Sequence, residues 1–324
     1  MGNLCPNETL LEPDYTETWH LGNTNFSYSN FRNSTNEFEE VCFQKLLKHY
    51  WKNEDLDTPV SRSQTEVTFN SQLFTRIKPR LSGGIPNYLF RKVLTKVFVF
   101  DENRSMDTYN ELVDSSAVKF AYSSCFFGKE PLENLCLTQE GSEAVVRLLK
   151  IIKLRFPDLD YCPILPVVTQ ILLWFLHEHE VYQIVWFLIA SSKEDLSSHF
   201  LTLKTTHLEA VNAISSRTAK VFKGYVQNEA ELKYVVFDAF TNMLTGYISP
   251  SYYPFVVSVW LCKGVKGLMS LTCSFVYCSV VQMKNYLKNS TSSKELTESW
   301  KLISKNSIEV SEFIKTFKVL KFSK

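Results

Sequence analysis

The chain has 324 residues, 45% hydrophobic and 14% aromatic, enough for a sizeable core and too apolar for a globally disordered polymer. Its 35 Lys and Arg residues face 34 Asp and Glu residues, a net charge of +1, which argues against a dedicated nucleic-acid binder and leaves room only for a local basic patch. Eight cysteines form no C-x-x-C pair and have no histidine cluster at zinc spacing, so the thiols read as reduced and neither a metal nor a cofactor is expected.

Residues 1 to 70, rich in Asn, Ser, Thr and Glu, read as a polar, mostly disordered arm. One short helix is expected there, Glu37 to Trp51, where Phe38, Val41, Cys42, Leu46, Leu47 and Tyr50 recur near helical spacing. The opening Met-Gly-Asn-Leu-Cys-Pro offers Gly2 for myristoylation and Cys5 for palmitoylation, but Pro6 stands where the motif requires Ser or Thr. A plain disordered end is the preferred reading. The first 20 residues lack the apolar stretch of a secretory signal. The longest uncharged apolar run, Gly267 to Met283, falls short of the roughly 20 residues a spanning helix needs. A soluble, cytoplasmic protein is expected.

From Leu73 onward the pattern is all-α. Pro86 sits early in a segment running through Val93 to Phe98, as a first-turn proline would. Ser105 to Thr108 reads as a loop, followed by a weaker helical segment from Tyr109 to Tyr122. In GSEAVVRLLKIIKLRFP, Arg147, Lys150 and Lys153 stand three apart while Val145, Leu148, Leu149 and Ile152 fill the other face, and Pro157 closes the helix. Pro163 and Pro166 then open a helix expected from about Ile164 to Phe175, where the N–H groups lack intrahelical partners anyway and Asp160 is available as a cap. Helices are expected over 178–190, after the Ser192-Lys-Glu-Asp195 capping box, and over 207–225, 229–245, 252–262, 267–287 and 292–320. No alternating strand pattern of any length appears.

His177-Glu178-His179-Glu180 invites a metal reading, but i and i+2 point to different sides of a helix, so a turn is expected instead. No HExxH, P-loop, G-x-S-x-G or paired-carboxylate signature is present. Between Glu66 and Asp101 there is no acid, yet Arg76, Lys78, Arg80, Arg91, Lys92 and Lys96 are there, six uncompensated charges suited to an anionic headgroup or to a solvated face. Lys315, Lys318, Lys321 and Lys324 interleave with Phe313, Phe317, Leu320 and Phe322, giving a basic amphipathic end that docks on its own domain or lies on an anionic membrane.

The central stretch EGSEAVVRLLKIIKLRFPDLDYCPILPVVTQILLWFLHEHEVYQIVWFLIA resembles the TBC domain of Rab GTPase-activating proteins, most closely the divergent Skywalker class. GGIPNYLFRKVL (83–94) is similar to the opening G-I-P-x-x-L-R motif, with Phe90 in place of its arginine, and TGYISPSYYPFVVSVWLCKGVKGL (245–268) to the third block. The resemblance covers about residues 73 to 288 and implies a multi-helix TBC domain, with 289 to 324 as a C-terminal basic amphipathic helix and no TLDc domain. Family members supply an arginine from I-x-x-D-x-x-R and a glutamine from Y-x-Q to a GTPase. Here Tyr161-Cys162-Pro163 lies on Y-x-Q, so proline replaces the glutamine. Asp101 and Arg104 offer a weak match to the arginine motif, and the alternative alignment over Leu112 to Val118 contains no arginine. In the third block Phe255 and Ser258 stand where Arg and Asp are expected. No catalytic residue is therefore expected, and the reading is a degenerate Rab-GAP-like protein that binds a small GTPase of the Rab or Arf type. The Skywalker class also implies a phosphoinositide-binding pocket, for which Arg76, Lys78, Arg80 and Lys92 are the positional candidates, and with it a peripheral place on vesicle or plasma membranes. The alternatives are an active activator using Arg104 and a helical protein–protein adaptor.

Overall fold

The structure is a computed structural model; it describes residues 47–52, 54–56, 67–114, 135, 137, 139–191, 199–222, 229–287, 293–307, 313, 316 and 317. The 192–195 capping box and most of the 37–51 helix lie outside these residues.

Ten α-helices are defined among the described residues, with a two-strand ladder of two residues each. Strand β1 (Thr68–Phe69) leads into α1 (Ser71–Leu81), whose first turn is capped by Asn70 Oδ1 accepting from the Leu73 N–H at 2.9 Å. Pro86 precedes a 3₁₀ turn (Asn87–Leu89), and α2 (Phe90–Val97) follows, with Phe90, Val93, Leu94 and Val97 buried. The next two residues, Phe98–Val99, form β2, paired antiparallel with β1. This pair is too short for an alternating pattern; aromatic rings hold it instead, Phe69 stacking 5.4 Å from Phe187 and Phe98 meeting the same ring edge-on at 5.7 Å.

Helix α3 (Glu102–Asp114) begins where the sequence suggested a loop, so Ser105 to Thr108 are helical. The cause is Asp101, whose Oδ1 accepts the Arg104 N–H at 3.1 Å and whose carbonyl accepts the Ser105 N–H at 2.8 Å. Then come α4 (Gln139–Arg155), α5 (Leu165–Leu172), α6 (Glu178–Ser191), α7 (Lys204–Phe222), α8 (Glu229–Thr241), α9 (Tyr253–Leu287) and α10 (Ser293–Ser307). The helices pack in two groups. α3, α4, α5 and α6 contact one another, and α7 to α10 do likewise; α9 joins the groups by lying against α1 and α5.

By length and composition Tyr253–Val280 would suffice to cross a membrane, yet most of it is buried inside the fold as a core helix. The two segments expected as 252–262 and 267–287 are the two helical arms of α9, which meet at a break at Gly264 with φ 60° and ψ −149°, a conformation essentially restricted to glycine. Cys162, Cys262, Cys273 and Cys278 are buried free thiols, and burial pushes Cys262 and Cys273 up to about 12. They act as small core hydrophobes.

The two ends of the described chain meet at the glycine turn of the GGIP segment. Leu47, Trp51, Leu56 and Val67, assigned by sequence to the arm, are buried in the core. Trp51 Nε1–H donates to the Gly84 carbonyl at 3.0 Å. Gly84 has φ +103°, and a Cβ there would come within 2.9 Å of Phe255 Cδ2. On the far side Phe255 packs against Phe313 and Phe317, with ring centroids 6.3 and 5.9 Å away, and the Lys263 ammonium sits 4.7 Å over the Phe317 ring. Of the two readings of the C-terminal end, docking on its own domain holds for Phe313 and Phe317, both buried. Gly84→Ala is expected to lower the unfolding free energy by about 2 kcal/mol in urea titration, because both the positive φ and the clash oppose the methyl group.

Candidate functional site

The segment between α4 and α5 carries Tyr161-Cys162-Pro163, the residues that the sequence resemblance aligns with Y-x-Q. Lys153 Nζ, in the last turn of α4, donates to the carbonyls of Pro157 at 2.8 Å and Leu159 at 3.1 Å and pairs with Asp160. Asp160 therefore caps nothing: α5 has no side-chain cap, and Pro166 in its first turn occupies a place where no N–H partner exists. Pro163 is buried in the turn before α5, so its side chain offers neither a polar atom nor an exposed surface.

Tyr161 is fixed by a chain of hydrogen bonds whose directions follow from donor counting. Thr241 Oγ donates to the Phe237 carbonyl at 2.6 Å and so accepts from His207 Nε2–H at 2.9 Å. His207 Nδ1 is then the acceptor for the Tyr161 hydroxyl at 2.6 Å. His207 is fully buried, stacked on Phe237 at 4.8 Å, and burial lowers its pKa to about 4. Burial raises the Tyr161 pKa, with the neighbouring Cys162 adding to it. Tyr161→Phe would orphan the buried Nδ1 and is expected to cost about 1–2 kcal/mol by thermal or chemical denaturation.

Arg104 is exposed on α3, whose start Asp101 fixes. Because Pro163 is buried, the two positions do not present side chains to one surface. The competing Leu112 to Val118 alignment runs out of the described residues after Asp114. Helix α3 is anchored through Tyr109, whose hydroxyl donates to Glu178 Oε2 at 2.6 Å while Arg147 holds the same carboxylate at 2.6 and 3.2 Å. Burial, and after it the Glu178 charge, keep the Tyr109 phenol protonated. Glu180 takes Arg91 at 3.2–3.3 Å and the His177 N–H at 2.8 Å. His177-Glu178-His179-Glu180 thus starts a helix rather than making a turn, and its acids are clamps. Because His177 precedes the helix, its ring does lie parallel to that of His179, 5.8 Å away. Among the described residues no group of three or more His, Cys, Asp and Glu could hold a metal ion.

The basic span is partly compensated, contrary to the sequence reading. Glu54, with a side chain only 7% exposed, pairs with Arg76 Nε at 3.3 Å and with the Arg80 guanidinium. Arg76 also donates to the Asp55 carbonyl, and Arg80 Nε donates to the Tyr50 carbonyl at 3.2 Å with its guanidinium over the Tyr50 ring. Arg91 belongs to Glu180. Both acids lie outside the acid-free span, where sequence reasoning did not look. Lys78 and Lys92 are exposed, the Lys78 ammonium 5.8 Å from the Phe74 ring. In the third block Phe255 is buried under Phe313 and Phe317, and Ser258 Oγ donates to the Pro254 carbonyl at 2.6 Å.

This arrangement of helices is the fold of a TBC domain. The structure is similar to the TBC domain of Skywalker from Drosophila melanogaster in complex with inositol(1,4,5)triphosphate, with 15% identity and TM-score 0.54 over 92% of this chain and 97% of that one. It is also similar to the TBC domain of a Chlamydomonas flagellar RabGAP, with 14% identity and TM-score 0.51 over 90% and 95% of the two chains. No protein-family model matches the sequence.

Proposed function

We propose that this chain is a Rab-GAP-like trafficking protein that binds a Rab- or Arf-type GTPase without supplying the catalytic groups. The observation that supports the reading is the state of the segment aligned with Y-x-Q: Pro163 is buried and has no polar side-chain atom, and the Tyr161 O–H is donated to His207, so the segment offers no side-chain amide to orient a water. An arginine finger contributes a factor of about 10³ to 10⁵ in hydrolysis. Single-turnover GTP hydrolysis across a Rab panel is expected to rise less than about tenfold with this protein, while pull-down with at least one GTP-loaded member succeeds; a thousandfold rise overturns the reading. The exposure of Arg104 favours a second reading, an active protein with Arg104 as the finger, and in that case Arg104→Ala abolishes the stimulation.

Anionic membrane binding is a further part of the proposal. The inositol triphosphate bound by the Drosophila relative supports the ligand class, and exposed Lys78 and Lys92 support the place. Arg76 and Arg80 are occupied by Glu54, so the lysines carry more of the attraction. In flotation with phosphoinositide vesicles, joint Lys78→Ala and Lys92→Ala substitution is expected to reduce the bound fraction more than Arg76→Ala alone. Equal retention by all variants removes this surface.

A further inference from the structure

We infer that Gln183 binds ordered internal water where α6 meets α3. Gln183 is 0% exposed, and neither amide atom has a hydrogen-bond partner among the described residues. An amide can accept two bonds and donate two, and buried side-chain polar groups are satisfied in the large majority of cases. On the facing helix Ser105, 3% exposed, has a hydroxyl in the same condition. Two ring contacts join the helices close to these residues. Phe100, just ahead of α3, lies 6.4 Å from His179, one turn before Gln183. Tyr109, one turn after Ser105, lies 5.8 Å from Tyr182, which adjoins Gln183.

Polar groups buried without a protein partner are served by internal water, each molecule making about three hydrogen bonds. A water that accepts from Ser105 Oγ–H and donates to Gln183 Oε1 satisfies one side of the contact, and a second accepts from Gln183 Nε2–H. Helix α3, which carries Arg104, is then seated on α6 by two devices: the fixed Tyr109–Glu178 bond and exchangeable solvent.

A crystal structure of the full chain, at a resolution where waters are ordered, tests this. Density within about 2.7–3.2 Å of the Gln183 amide and of Ser105 Oγ is expected. Gln183→Met is expected to lose that density and to melt a few degrees lower, because Ser105 is left alone. A dry contact gives the opposite sign: the substitution removes an unsatisfied amide and the melting temperature rises. No density in the wild type together with a higher melting temperature for Gln183→Met overturns the inference. Density that persists at Gln183 in Ser105→Ala overturns the bridge between the two helices.

Discussion

Replacing Phe255 with arginine is expected to destabilise the fold by about 4 kcal/mol or more, although arginine is the residue the family resemblance places there. Phe255 is 1% exposed, wedged between the Gly84 turn and the rings of Phe313 and Phe317. A guanidinium in that space loses its hydration, and its neighbour Lys263 brings a like charge to the face of Phe317. It reaches water only if Phe313 and Phe317 are displaced. Thermal unfolding with limited proteolysis reads both effects: a much lower melting temperature, and earlier cleavage at Phe313 and Phe317. Phe255→Leu serves as the control, keeping an apolar side chain in the gap and losing far less. A Phe255→Arg variant that melts within a degree or two of the wild type would show that this aromatic stack contributes little. The consequence for function is local: the position from which the Skywalker class is expected to draw a pocket arginine here fastens the C-terminal segment to the domain.

Much of the fold was legible because its helices are amphipathic. Val145, Leu148, Leu149 and Ile152 repeat at the helical period, and the structure buries all four in α4. Helix α3 was misplaced because its first turns, Glu102 to Asp107, are polar apart from an exposed Met106 and give no period, and the signal that starts it is a single cap, Asp101. The site was less legible, since its contacts join residues far apart in the chain. Arg91 and Glu180 are 89 positions apart, Tyr161 and His207 46, and His207 and Thr241 34. Composition supplies the charges but not their partners, so a span without acids looked uncompensated although Glu54 lay just outside it. Pro163 was the exception. Its side chain carries no polar atom whatever surrounds it, a property read from the residue type alone, and the structure buries it.

Acid is expected to loosen this same region through His207. Its folded-state pKa, about 4, lies below the ordinary 6.5, because burial penalises the imidazolium. Between those values the unfolded chain binds a proton that the folded chain refuses, so stability falls as pH drops from about 6.5 towards 4 and is full above 6.5. A displacement of this size corresponds to about 3 kcal/mol. The contribution of His207 is read as a difference between two proteins that share every other titratable group. His207→Phe keeps the ring stacked on Phe237 and cannot titrate. It costs about 1–2 kcal/mol at pH 7 through the two lost hydrogen bonds, but its urea midpoint should fall less steeply between pH 6.5 and 4 than that of the wild type. Parallel pH profiles would remove His207 as the source. If the profiles do diverge, Tyr161 should register it in the same window, since a protonated Nδ1 becomes a donor and the Tyr161 oxygen must turn from donor to acceptor. The segment that carries Pro163 is then held by a neutral imidazole, and the surface beside it keeps its shape at neutral pH.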